Sequence, residues 1–331
     1  MKQQDGILAD ARGFMKSRVI LTAAELDLFT LLHERKADAR DLAKEKDLDP
    51  RAAVRLLASL VTFGLVEIEN GRYGVTEKGA LLSSRHPESV LPMVLHQTAL
   101  WESWSHLTES LKEGRNPAER KPLTERGDGT LKAFIGAMHV VGRELAQEIA
   151  DSYDASSCKR FLDIGGGSGT YTIAFLKKNP KMRGVLFDLE KVIPLAEERL
   201  GSEGLLDRVE LAAGNFYRDE LPGGCDLALL SAIIHQNSPD ENLVLYRKVH
   251  RALVPGGAML IRDHIMNESR TRPPAGALFA LNMLVATNGG DTYTFREVRE
   301  SLEEAGFVGI SLVRSGERMD CLVEARKPKG R

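Results

Sequence analysis

The sequence predicts an α/β fold: a doubly wound, mostly parallel seven-stranded sheet with a C-terminal antiparallel hairpin, preceded by an α-helical winged-helix domain. Three observations carry this. From Arg160 onward, short apolar runs at 160–164, 184–187, 209–212, 226–234 and 258–261 alternate with helical stretches. Strands covered on both faces need such continuous apolar runs. Near the end, runs at 308–313 and 319–325 are separated only by Arg314-Ser-Gly-Glu-Arg318, which pairs them as a hairpin. Before residue 100, helical periodicity gives way to alternation around Asn70-Gly71.

The N-terminal elements follow in order. Residues 14–32 place Val19, Ile20, Ala23, Ala24, Leu28 and Leu31 at helical spacing, and Asp41 starts a second, short helix. Asp49-Pro50 is a cap followed by proline at the first helical position, so a third helix runs to about Phe63 and stops at Gly64. LVEIENGRYGVTEKG then reads as a hairpin. Helix, helix, helix, hairpin is a winged helix-turn-helix, which has a DNA-binding reading and a plainer one. The third helix carries Arg51 and Arg55 but is apolar nearly all round, as a helix buried on every side would be. A groove-reading helix would show polar side chains to base edges. With 45 Lys and Arg against 47 Asp and Glu the net charge is −2, so the basic surplus of a phosphate binder is missing. Packing or dimerisation is the role expected, with no nucleic-acid partner. Residues 90–112 and 130–153 are again helical, flanking a polar loop, and their Trp101, Trp104, Phe134 and Met138 sit where core residues usually sit.

A chain of 331 residues holds roughly two domains. Hydrophobic residues at 43% and charged residues at 28% exclude a disordered or collagen-like chain. Cys158, Cys225 and Cys321 are odd in number and contain no C-x-x-C pair, so neither a zinc site nor a disulfide framework is expected, nor any other metal. The N-terminus has no continuous apolar segment, and no apolar run approaches the ~20 residues of a membrane helix. A cytoplasmic protein with no membrane partner is expected.

The first β-strand leads into Asp163-Ile-Gly165-Gly166-Gly167-Ser168-Gly169 and then a helix. Glycines allow a tight turn and close approach of a ligand, and a helix N-terminus after them suits a nucleotide-type ligand. A dinucleotide fingerprint would need Gly or Ala at 170, and 170 is Thr. Asp188, with Leu189 beside it, follows the second strand, where a carboxylate can accept from both hydroxyls of a ribose. Gly214-Asn215-Phe216 follows the third, offering a polar group for an adenine edge and a ring to lie against it. All three loops follow strand carboxyl ends, where open sheets bind ligands.

FLDIGGGSG, LFDLEKVI, GNF, IIHQNSPDE and LVPGG, in this order and spacing, resemble the S-adenosylmethionine-dependent O-methyltransferases of the plant caffeate and hydroxyindole type and their bacterial small-molecule relatives. The resemblance covers nearly the whole chain and implies a Rossmann-like cofactor domain behind a winged-helix dimerisation domain. It divides the chain into 1–95 for dimerisation, 96–155 as a helical linker contributing to the acceptor pocket, and 156–331 for catalysis. The partners implied are a small-molecule acceptor and a second copy of the chain.

His235 ends the fourth strand beside the cofactor loop, where it can act as a general base, and the histidine of the matching family motif has that role. Asp263 ends the fifth strand and matches a family acid that orients this histidine, whereas the plainer reading is an aspartate bonding the next loop. His264 should point the other way if the strand continues. By resemblance Asp163, Gly165, Gly166, Gly167, Asp188, Leu189, Gly214, Asn215, Phe216 and Ser231 serve the cofactor, with S-adenosylhomocysteine as its product. Phe134, Met138 and Met283 would line the acceptor pocket, the last from a long apolar insertion at 266–290. Trp101, Trp104, His96 and His139 are weaker pocket candidates. The chain departs from the plant pattern at Asn215, where an adenine-contacting acid stands, at Ser231, where a lysine stands, and at Thr292, where a second acid stands.

The function expected is methyl transfer to a hydroxyl of a small aromatic metabolite with His235 as base. Nitrogen or carbon methylation on a small ring, or cofactor binding without transfer, are open alternatives. A winged-helix regulator is disfavoured by the third helix and the charge, and a nicotinamide dehydrogenase by the glycine spacing.

Overall fold

The structure is a computed structural model that describes residues 2–117 and 128–330. The chain forms two compact units, Met1–Trp101 and Glu102–Arg331. The polar loop expected before residue 130 lies, over 118–127, outside the described residues.

In the first unit, α1 (Lys2–Glu25) and α2 (Leu28–Glu34) replace the single helix expected over 14–32. Asp27 breaks it by turning left-handed at φ 52°, a conformation aspartate tolerates better than most residues. Asp38, not Asp41, caps α3 (Ala39–Glu45), accepting from the Arg40 and Asp41 amides. Asp49 caps α4 (Pro50–Thr62) through the Ala52 amide, with Pro50 in the first turn. Strands β1 (Val66–Glu69) and β2 (Arg72–Val75) pair through Asn70 and Gly71, both at positive φ, as a tight twisted hairpin requires. Helix α4 corrects the expectation of burial on every side. Ala53, Leu57 and Leu60 are buried in a helix that packs on α1, α3 and β1, whereas Arg51, Arg55 and Val54 are exposed. Spacings of three and four place the buried set on one stripe, and the apolar residues off it stay at the surface. The hairpin leads into α5 (Glu77–Ala80), and α6 (Leu91–Ser105) carries the chain across the unit boundary.

The second unit begins with the rest of α6, then α7 (Leu107–Glu113) and α8 (Asp128–Ser152). It continues as β3 (Arg160–Ile164), α9 (Thr170–Lys178), β4 (Arg183–Asp188), α10 (Ile193–Ser202), β5 (Val209–Ala213), β6 (Cys225–Ser231), α11 (Pro239–Ala252) and β7 (Leu253–Asp263). Among the described residues the sheet has seven strands. Adding β10 (Val308–Arg314) and β11 (Cys321–Arg326), its order is β10-β11-β7-β6-β3-β4-β5. The five strands from β7 to β5 are parallel, and β11 and β10 are antiparallel. This is the doubly wound, mostly parallel sheet with a terminal hairpin. The chain leaves β3 toward β4 and β5 and returns to β6 on its other side, so the sheet's switch point lies between β3 and β6.

Strand alternation splits the core into two layers. Leu162, Ile164, Leu230 and Met259 pack with Tyr246 and Val249 of α11 and with Val298 and Leu302 of α13 (Phe295–Glu304). Phe161, Leu186, Leu229 and Leu260 pack on the other face with Ile149 of α8, Phe175 of α9 and Leu200 of α10. Phe161 and Phe175 stack with ring centroids 4.7 Å apart. The insertion at 266–290 is closed at its base by β8 (Ile265–Met266) pairing with β9 (Tyr293–Thr294), and it contains α12 (Pro274–Ala286). No helix among the described residues is long and apolar enough to cross a membrane.

Candidate active site

The glycine loop after β3 turns left-handed at Gly165, Gly167 and Gly169, with φ of 67°, 56° and 84°. The glycines are not equivalent. A Cβ on Gly165 would meet Ile233 at 2.8 Å and Phe216 at 3.7 Å, and one on Gly166 would meet Leu186 at 2.8 Å. These two allow the loop to pack. A Cβ on Gly167 would reach nothing nearer than Ile135 at 4.0 Å, so its bare backbone borders open space. Ile135 of α8 belongs to a small apolar cluster that also takes in Phe134 and Leu189.

Asp188, at the end of β4, accepts from the Gly167 amide at 2.7 Å and the Leu189 amide at 2.7 Å. Burial pushes its carboxyl up, and these two amides pull it back. Asp163 corrects the sequence expectation. It is 1% exposed, and its Oδ2 accepts from the Thr172 amide at 3.1 Å and the Thr172 hydroxyl at 2.7 Å. Burial pushes it up to about 6. Its carboxylate braces the first turn of α9. At the end of β5, Gly214 lets the chain pass Phe187, whose ring a Cβ would meet at 2.5 Å. Asn215 Oδ1 accepts from the Tyr217 amide at 2.9 Å, which shapes the loop that carries Phe216 to Gly165.

The His235 region departs furthest from expectation. β6 ends at Ser231, because Ala232 turns left-handed at φ 56°, and His235 lies in a 3₁₀ turn, Ile234–Gln236. Three contacts hold this turn. The Asn242 amide donates to the Ile234 carbonyl at 2.9 Å, the Tyr293 hydroxyl donates to the Asn237 carbonyl, and Gly290 passes so close that a Cβ would lie 2.3 Å from the His235 carbonyl. His235 Nδ1 lies 3.0 and 2.9 Å from the two oxygens of Asp263, which does end β7. An ionised carboxylate only accepts, so Nδ1 carries a proton. The side chains are 12% and 1% exposed. Burial alone would raise the Asp263 carboxyl, but the His235 charge and hydrogen bond, then the Arg262 charge and the His264 amide, hold it below the usual range.

Phe279 of α12 meets His235 edge-on, with centroids 4.9 Å apart at 88°, and lies 5.4 Å from the ring of His264. His264 therefore does not point away from His235. Regular strand geometry stops at Asp263, and both imidazoles reach one aromatic ring. Phe134 and Met138 are one turn apart on α8, as are Phe279 and buried Met283 on α12, so each pair shares a face. Trp104 donates to Asn282 at 2.9 Å. His139 is committed elsewhere, to Thr170 at 2.9 Å and Arg199 at 3.0 Å, and burial and the Arg199 charge push it down to about 4.

Two residues were not anticipated. Phe279 had no signal beyond an apolar insertion. Arg262 donates from Nε and Nη2 to Ser231 Oγ at 3.0 and 2.7 Å. Nor does an acid replace Thr292 nearby, since adjacent Asp291 pairs with Arg270 at 3.0 Å.

An open cradle over Gly167, a half-buried acceptor carboxylate on β4 and a ring in the loop after β5 fit a nucleoside-bearing cofactor along the carboxyl edge of the sheet. A histidine–carboxylate pair, His235 in the turn after β6 and Asp263 at the end of β7, stands on the same edge. A family model for the O-methyltransferase domain matches residues 104–308, and one for the O-methyltransferase dimerisation domain matches residues 9–85. The chain belongs to the S-adenosylmethionine-dependent O-methyltransferases of the hydroxyindole and caffeate type. The tetracenomycin polyketide synthesis 8-O-methyl transferase of Streptomyces glaucescens is 31% identical over 98% of this chain and 96% of its own length. The 3-hydroxy-5-methyl-1-naphthoate 3-O-methyltransferase of Streptomyces sahachiroi is 31% identical over 92% and 89%. The crystal structure of human N-acetylserotonin methyltransferase in complex with SAM superimposes with a TM-score of 0.86 at 25% identity, covering 99% of each chain.

Proposed function

We propose that this enzyme methylates a hydroxyl on a small aromatic metabolite, with His235 as general base and Asp263 as its orienting partner. The His235–Asp263 contact carries the reading. A phenol of pKa ~10 is a poor nucleophile at neutral pH, so a base that takes its proton as the new bond forms has a clear use. When bound, S-adenosylmethionine supplies an electrophilic methyl on a sulfonium. Asp188 would hold the ribose hydroxyls, Gly165, Gly166 and Gly167 the backbone cradle, and Leu189, Gly214, Asn215 and Phe216 the adenine side. His235 Nε2 would accept the acceptor's proton, and Asp263 would stabilise the resulting imidazolium. Phe134, Met138 and Met283, with Phe279 added, would offer a flat apolar surface to a ring. Relatives named for a hydroxynaphthoate and for acetylserotonin support an aromatic acceptor.

In this reading residues 1–95 hold two copies together, 96–155 contribute to the acceptor pocket and 156–331 perform the transfer. The matched dimerisation domain supports a homodimer. The test is His235→Ala, assayed for S-adenosylhomocysteine release across a panel of hydroxynaphthoates and hydroxyindoles. A kcat lower by about 10²–10⁴-fold, with unchanged S-adenosylhomocysteine affinity, is expected. Retained kcat would mean that the acceptor is already nucleophilic and needs no base.

A further inference from the structure

Among the described residues, Arg262 is a buried cation that no carboxylate contacts directly. It is 6% exposed, and among the described residues it forms no ion pair. Its donors go to neutral oxygens instead: Nε and Nη2 to Ser231 Oγ, and Nη1 to the Met319 carbonyl at 3.0 Å. A guanidinium has five N–H donors, and these three bonds leave two. A buried guanidinium with donors left over is suited to an arriving anion.

The neighbourhood says which anion. The guanidinium lies 5.1 Å over the ring of Tyr171, the second residue of α9, directly behind the glycine loop. The Tyr171 hydroxyl is itself buried and has no hydrogen-bond partner. Arg262 pairs in register with Ser231, the last residue of β6, and its charge is felt at both Asp163 on β3 and Asp263 on β7. Along the sheet edge, the adenine elements stand on β5, the ribose acid on β4 and the cradle on β3. The next strand beyond the cradle is β6. A cofactor whose adenosine occupies β5 and β4 extends its amino-acid end past β3 toward β6, where Ser231, Arg262 and Tyr171 meet.

We infer that Arg262 anchors the α-carboxylate of the cofactor's methionine part, with Ser231 holding the guanidinium in place and the Tyr171 hydroxyl as an additional donor. The cation comes from β7 and stands in register with Ser231 on β6. The inference rests on S-adenosylmethionine as cofactor and is independent of the role of His235.

The test is calorimetric titration of the full chain with S-adenosylhomocysteine and with S-adenosyl-3-thiopropylamine, which keeps the thioether and amine and lacks only the carboxylate. The wild type should prefer S-adenosylhomocysteine. Arg262→Gln should lower affinity for it by about 10–100-fold, the scale of a charge-assisted hydrogen bond, and leave the analogue within about twofold. Arg262→Lys should restore part of the preference. Tyr171→Phe removes only an unpartnered hydroxyl and so should fold normally, while weakening S-adenosylhomocysteine alone. Equal losses for both ligands in Arg262→Gln would overturn the inference and make Arg262 a structural counter-charge for Asp163 and Asp263. Equal affinity of the wild type for both ligands would overturn it without touching the cofactor. No binding of either ligand by the wild type would overturn the cofactor assignment as well.

Discussion

Two aspartates at the carboxyl edge of the sheet show how differently its two halves are built. Asp163 near the end of β3 and Asp263 at the end of β7 are both almost fully buried. Burial pushes Asp163 up to about 6, whereas Asp263 is held below the usual carboxylate range. The residue type and the burial are the same, so the partners make the difference. Asp163 receives neutral donors from Thr172 and feels the like charge of Asp188. Arg262 lowers both, so the difference at Asp263 is the facing His235. The β3–β4 half is arranged to present acceptors and bare backbone to neutral groups of a ligand. The β6–β7 half concentrates charge, and the proposed proton transfer and carboxylate contact both fall there.

The largest effect should come from breaking the charged half. Asp263→Asn gives Nδ1 of His235 an amide that can donate to it, so the proton can move to Nε2 and remove the basic lone pair. The kcat should fall by about 10²–10⁴-fold while S-adenosylhomocysteine affinity is unchanged. Loss of binding with kcat preserved would place Asp263 in the cofactor site instead.

An intermediate effect should separate packing from binding within the β3–β4 half. Gly166→Ala drives a methyl into Leu186 and should destabilise the protein by about 1–3 kcal/mol. Gly167→Ala meets open space, so the left-handed backbone alone should cost about 1–2 kcal/mol. It should nevertheless lower S-adenosylhomocysteine affinity more than Gly166→Ala does. Melting curves and titrations of the two variants check the crossover, and the reverse order would move the cradle away from Gly167.

The smallest effect is on stability, within a pH window. The native Asp163 carboxyl titrates at about 6, above its ordinary 3.8. The folded state therefore holds this proton more tightly than the unfolded state. The stability it contributes is full below about 3.8 and is lost as pH rises through about 6. Asp163→Asn cannot ionise, so its Tm relative to wild type should climb by a few degrees from pH 4 to pH 7 and then level off. Parallel Tm–pH curves would mean that Asp163 is ionised throughout.

Much of this was legible in the chain because it depends on local chemistry. Asp49-Pro50, Asn70-Gly71 and the glycine loop mark where backbone must start, reverse or turn left-handed, and these constraints act over a few residues. His235 and Asp263 were legible as strand-end residues, although β6 stops at Ser231, and the left-handed Ala232 that ends it carries no sequence signal because alanine rarely adopts that conformation. The face of α4 that is buried was not legible, since periodicity ranks residues without naming the neighbour they pack on.

The sequence by itself determined the succession of strands and helices, the glycine-rich turn after β3, and the placing of Asp188 and His235 at or just beyond strand ends, because each is set by residue type and spacing. Tertiary structure alone decided that Asp163 braces a helix, that Phe279 meets His235, and that Arg262 reaches Ser231 and Tyr171. These contacts join residues 9, 44, 31 and 91 positions apart. Their distances, burial and protonation are fixed only when the sheet brings separate strand ends side by side and water is excluded between them.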